Sequence, residues 1–157
     1  MEVFALMVGV DLALVAQSTT AWPQHESTVV SSFELSGAIS GTARVFYPLP
    51  LANRMTCRML QVEPPVAEMD ILDAAGEIAN MIVGNVRNCL ENPWGSIDIG
   101  TPAVEIFRDC VLKNHSMSVS FCSCGDIVTV SMAFRNGTAP WDYLRSSLDR
   151  PGSDTLL

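Results

Sequence analysis

Between Val66 and Leu90 apolar residues recur at helical spacing over some seven turns, and this stretch constrains the fold most. Ile71, Ala75, Ile78, Ile82 and Val86, with Leu72, Ala79, Val83 and Leu90, form a wide apolar stripe. A helix this long needs a broad surface to bury that stripe, so the rest of the chain must supply one. Asn92-Pro93 reads as its stop and Pro64-Pro65 as the break before it.

The surface comes from strands. Thr28 to Phe46 reads as a hairpin, with Gly37 and Gly41 bracketing the turn; Pro48 and Pro50 then break the second strand. A second helix is predicted from Leu51 to Leu60, on the spacing of Leu51, Met55 and Met59. Shorter strands are expected at Ser96 to Ile99, Val104 to Phe107, Ser116 to Cys122 and Ile127 to Phe134, the last two joined at Gly125-Asp126. The order predicts an α+β fold, an antiparallel sheet packed against two long helices. An apolar run from Met1 to Ala16 reads as an additional N-terminal helix. It is too short for a transmembrane span and lacks the basic start of a signal peptide. One domain over residues 1–136 is expected, followed by a polar, partly disordered tail over 137–157.

Composition narrows the function. Nine Lys+Arg stand against 17 Asp+Glu, a net charge of −8, which disfavours nucleic acid and anionic membrane surfaces as partners. Cys57, Cys89, Cys110, Cys122 and Cys124 are an odd, scattered set. Four zinc ligands at recognisable spacings are missing, so free thiols in a reducing compartment are the expectation. The eight methionines and three tryptophans read as core filler and packing anchors.

The polar side of the long helix carries the chemistry. Asp73, Glu77, Asn80, Gly84, Arg87 and Glu91 recur at three- and four-residue steps and so share one stripe. Gly76 and Gly84 lie inside the helix, each costing about 1 kcal/mol relative to alanine. Two readings account for them equally well: missing Cβ atoms let another molecule approach, or one of them packs against a neighbouring helix of the same fold. Glu77 and Asn80 project about 60° apart around the axis, so their tips can enter one small site. A carboxylate and a carboxamide hold and orient; neither is a strong nucleophile, and no Ser-His or Cys-His pair accompanies them. Orienting one water suffices for an activated acyl phosphate, where Mg²⁺ neutralises the developing charge. Asp73 suits the helix's early turns or a partner contact, and Arg87 reads as solvated or as touching that partner.

The segment Asp73-Ala-Ala-Gly76-Glu77-Ile-Ala-Asn80-Met81-Ile82-Val83-Gly84 resembles the helix signature of the CheC/CheX/FliY phosphatases of bacterial chemotaxis, and CheX-like domains most of all. Leu35-Ser-Gly37 to Gly41-Thr-Ala-Arg-Val45 is similar to that family's first hairpin, and Pro102 matches the proline after its next strand. The resemblance covers about Val29 to Phe134. It implies a cytoplasmic phosphatase acting on a phosphorylated CheY-like response regulator. Glu77 would pair with the regulator's lysine, and Asn80 would orient the hydrolytic water. Asp73, Gly76, Gly84 and Arg87 would contact the partner. The resemblance further implies no cofactor of the chain's own, Mg²⁺ supplied by the regulator, and a homodimer. One site is expected, since Met1 to Ala16 carries no second Glu-x-x-Asn pair. The alternative is a non-catalytic module that binds a response regulator or dimerises on the same scaffold.

Overall fold

The computed structural model describes residues 13–17, 27–108, 117–123 and 126–135. Seven strands and two helices are formed there. Strands β1 (Ala13–Gln17), β2 (Ser27–Gly37) and β3 (Gly41–Pro48) precede helices α1 (Leu49–Leu60) and α2 (Glu68–Trp94). Strands β4 (Ile97–Ile99), β5 (Ala103–Arg108), β6 (Met117–Ser123) and β7 (Asp126–Phe134) follow. One antiparallel sheet runs in the order β1-β6-β7-β3-β2-β4, with β5 also on β2.

The predicted hairpin is β2–β3, in register from Thr28↔Pro48 to Leu35↔Gly41. Gly41 has to be glycine, because a Cβ there would lie 2.2 Å from the Ala133 carbonyl oxygen. On the other side of β2 two short strands share its length. β5 pairs with Ser27 to Ser32 and β4 with Leu35 to Gly37; between them the Gly100 N–H reaches the Glu34 carbonyl at 2.9 Å. Pro102 stands in that jog, outside either ladder, where its missing N–H costs no strand bond.

Both helices pack on one face of the sheet. Val29, Phe33 and Leu35 of β2, Ala43, Val45 and Tyr47 of β3, and Val128 and Met132 of β7 are buried beneath them. Leu51, Ala52 and Met55 of α1, with Ile71, Ala75, Ile78, Ala79, Val83 and Leu90 of α2, close the core. Burying each larger aliphatic side chain contributes roughly 1.5–3 kcal/mol, so α2 is held by tertiary packing more than by propensity. An Arg54–Asp126 ion pair ties α1 to β7, and Arg135–Glu34 ties the end of β7 to β2. On the opposite face Thr28, Val30, Phe46, Thr129 and Ser131 are also buried, although neither helix lies there.

Three expectations change. The run predicted as a helix to Ala16 is a strand from Ala13 to Gln17, paired with β6, while residues 1–12 lie outside the described residues. A short apolar run has the same periodicity in a buried strand as in a helix, and here the edge of β6 decides it. Helix α1 begins at Leu49, taking Pro50 into its first turn, where a proline's absent N–H has no intrahelical partner to lose. Helix α2 passes Pro93 and ends at Trp94, closed by the Gly95 N–H on the Glu91 carbonyl at 2.9 Å, with Gly95 at φ +94°. The tail 137–157 lies outside the described residues, as do Cys110, Cys124 and Gly125.

Candidate functional site

The site is built on the outer side of α2, and its inner side determines how that helix sits. Ser31 of β2 and Val104 of β5 are cross-strand neighbours. The Ser31 hydroxyl donates to the Ala75 carbonyl at 3.4 Å, and Val104 Cγ2 lies 3.3 Å from where a Cβ on Gly76 would stand. Small residues at Ala75, Gly76 and Ala79 thus bring the helix close to the strands. Residues half a turn away point to solvent.

Asp73, Glu77 and Asn80 are exposed, and Gly84 is half-buried. Among the described residues, neither Glu77 nor Asn80 makes a hydrogen bond or ion pair, so both side chains are free to engage another molecule. The two helical glycines differ in kind. Gly76 is buried and its missing Cβ is accounted for by Val104; around Gly84 a Cβ would meet none of the described residues within 4 Å. The packing explanation therefore accounts for Gly76, against a strand rather than a helix; among the described residues no contact accounts for Gly84.

Arg87 is more constrained than a solvated arginine. Its Nε lies 3.9 Å from Glu91 Oε1, and its terminal nitrogen donates to Asn88 Oδ1 at 3.2 Å. The same Glu91 oxygen accepts the Ile97 N–H at 2.9 Å, so Glu91 links the end of α2 to the start of β4. Arg87 is directed along the helix toward that junction and leaves the space beside Gly84 open.

One residue on this stripe escaped the sequence reading. Met69, in the first turn of α2, is 72% exposed, where a core-filling methionine would be buried like Met55 or Met132. Its signal was present in the sequence: it stands four residues before Asp73 and so on the polar side of the helix.

Cys57 and Cys89 are free and half-buried. Among the described residues no group of three or more His, Cys, Asp or Glu side chains could hold a metal ion, and no helix is long and apolar enough to cross a membrane. Trp94 packs against the core as an anchor; Trp22 and Trp141 lie outside the described residues.

Comparison with known proteins bears on both fold and family. A family profile described as chemotaxis phosphatase CheX matches residues 29–122, which include the hairpin, both helices and the Glu77/Asn80 stripe. No curated protein gives a significant match. Among solved structures, the chemotaxis protein CheX from Vibrio vulnificus superposes with a TM-score of 0.74 at 20% identity, over 86% of this chain and 93% of that one. A CheX-CheY-BeF3-Mg complex from Borrelia burgdorferi matches with a TM-score of 0.69 at 18% identity, over 86% and 92%. FliY from Thermotoga maritima matches with a TM-score of 0.60 at 16% identity, over 83% and 80%. At such identities the structural likeness establishes a shared fold.

Proposed function

The chain belongs to the chemotaxis phosphatase CheX family, and from that premise we propose that it hydrolyses the aspartyl phosphate of a CheY-like response regulator. The observation that carries this reading is the pair Glu77 and Asn80, exposed one helical turn apart and without partners among the described residues. The similarly folded CheX of the Borrelia complex is paired with CheY, which supports the choice of partner.

In this mechanism the chain brings no nucleophile and needs none. Glu77 forms an ion pair with the lysine beside the phosphorylated aspartate and so fixes the regulator against α2. Asn80 enters the regulator's active site, where its amide oxygen can accept a hydrogen bond from a water molecule and its amide nitrogen can donate one. The water so held attacks phosphorus in line. Its oxygen forms the new P–O bond as the bond to the aspartyl oxygen breaks, leaving a carboxylate, inorganic phosphate and a released proton. Mg²⁺ belongs to the regulator and offsets charge on the phosphoryl oxygens. Holding water and acyl phosphate in one geometry turns a bimolecular encounter into an effectively unimolecular step. Asp73, Gly76, Gly84 and Arg87 complete the partner-facing helix in this reading, Gly76 by setting its height above the sheet. A homodimer and a cytoplasmic location belong to the same proposal.

The test is the decay of the acyl phosphate on each receiver domain of the source organism, with and without the protein. Faster decay on at least one receiver supports the reading; unchanged decay on all of them refutes it.

A further inference from the structure

The catalytic pair occupies a single turn of a helix whose outer side runs on in both directions. Taking 100° per residue, Met69, Glu77, Asn80 and Gly84 fall within an arc of about 80°. Along the axis Met69 lies about 16.5 Å before Asn80, and Gly84 about 6 Å beyond it. A specific protein interface covers roughly 800 Å² on each partner, a disc of about 16 Å radius. A partner centred on Asn80 therefore covers Gly84 and meets the Met69 side chain at its rim.

Among the described residues, no contact accounts for either one. Met69 leaves 72% of its surface in water on the polar side of the helix, where a charged or polar side chain would do as well for folding. Gly84 forgoes about 1 kcal/mol of helix propensity although an alanine methyl would touch none of the described residues within 4 Å. Arg87 does not fill the space beside it, because Asn88 and Glu91 hold that side chain along the helix. The outer side thus presents an apolar knob, a carboxylate, an amide and a notch, in that order. Methionine suits such a knob, since its unbranched, polarisable chain adapts to the surface it meets and is enriched at interfaces.

We propose that Met69 and Gly84 select the partner: Met69 seats in an apolar recess of the phosphorylated receiver domain, and the Gly84 notch admits its backbone. This rests on the phosphatase reading above and extends it from chemistry to recognition. Asn80 acts on the water, and the two flanking residues decide which regulator brings its aspartyl phosphate within reach.

The experiment uses the receiver domain that the wild-type protein dephosphorylates. KM and kcat are measured on its phosphorylated form, and Kd on its beryllofluoride-activated form, a stable stand-in for the phosphoryl group. Met69→Ser and Gly84→Ala should each raise KM and Kd about tenfold. For both variants kcat should stay within about twofold, and the melting temperature should not fall. Wild-type KM and Kd in either variant overturn the assignment for that residue, as does a loss confined to kcat. If the wild-type protein itself neither binds nor dephosphorylates any receiver, it is the phosphatase reading that fails.

Discussion

Val104 crowds the place of a side chain on Gly76: its Cγ2 is 3.3 Å from the Cβ that Gly76 lacks. A residue on an edge strand thereby dictates the composition of a helix 28 positions earlier in the chain, and through it the height at which Glu77 and Asn80 are carried. Gly76→Ala is expected to destabilise the fold by about 1 kcal/mol, because β-branched Val104 gives way poorly and crowding outweighs the gain in helix propensity. In a Val104→Ala background the same substitution should cost less. A double-mutant cycle by denaturant titration measures the difference, and equal costs in both backgrounds would remove the contact as the cause.

Gly84→Ala should have the opposite sign. With none of the described residues within 4 Å of it, the added methyl gains helix propensity and restricts the unfolded chain, raising stability by about 0.4–1 kcal/mol. Thermal unfolding of the two alanine variants side by side checks the contrast between a glycine retained for packing and one retained for its surface.

Asn80→Ala should abolish stimulated dephosphorylation while leaving the melting temperature and most regulator affinity intact, because the exposed amide has no partner within the described residues. Glu77→Ala should act on binding instead. Loss of a charge-assisted contact of roughly 1.5–3 kcal/mol corresponds to about a 10- to 150-fold weaker complex. Titration against an activated receiver domain, run beside turnover, separates the two roles.

Glu91 is a structural counterpart to these residues. Its Oε1 accepts the N–H of buried Ile97 at 2.9 Å, and Glu91→Ala would leave that donor unsatisfied at a cost of about 1–3 kcal/mol. Glu91→Gln keeps an acceptor in place and should lose much less. Chemical denaturation of both variants distinguishes a lost hydrogen bond from a lost charge.

Burial pushes the Tyr47 phenol well above its ordinary value of 10.0, and among the described residues its hydroxyl has no partner. The folded state therefore holds this proton more tightly than the unfolded chain does. Tyr47 contributes no pH dependence below pH 10, and stability falls as pH rises from there toward the folded-state value. Tyr47→Phe should remove that alkaline loss and leave stability at pH 7 equal or slightly higher, since it deletes an unsatisfied polar atom from the core. Urea titrations at pH 7 and at pH 10.5 test both statements.

The hairpin, both helices and the four C-terminal strands were legible because each carries a local signature: alternation, a 3.6-residue stripe, or a proline or glycine at the boundary. What escaped was set by neighbours distant in sequence. Ala13–Gln17 pairs as a strand because β6 offers it an edge, and no periodicity within five residues could tell that from a helix. The sharing of β2 between β4 and β5 is equally non-local. At the site, the stripe of Glu77 and Asn80 followed from spacing alone, whereas the meaning of its glycines did not. Val104 separates Gly76 from Gly84, and it lies on another element. Met69 has the residue type of core filler, but its position among polar side chains places it in solvent.

The side of α2 that faces the sheet and the side that faces solvent draw on different alphabets, Ala, Gly, Ile and Val within and acid, amide and thioether without. Such a helix can be rewritten outwardly without disturbing what lies beneath it. Lineages that duplicate their signalling circuits could redirect a chain of this family to a new partner through a few outward letters, while the scaffold under them passes unchanged from copy to copy.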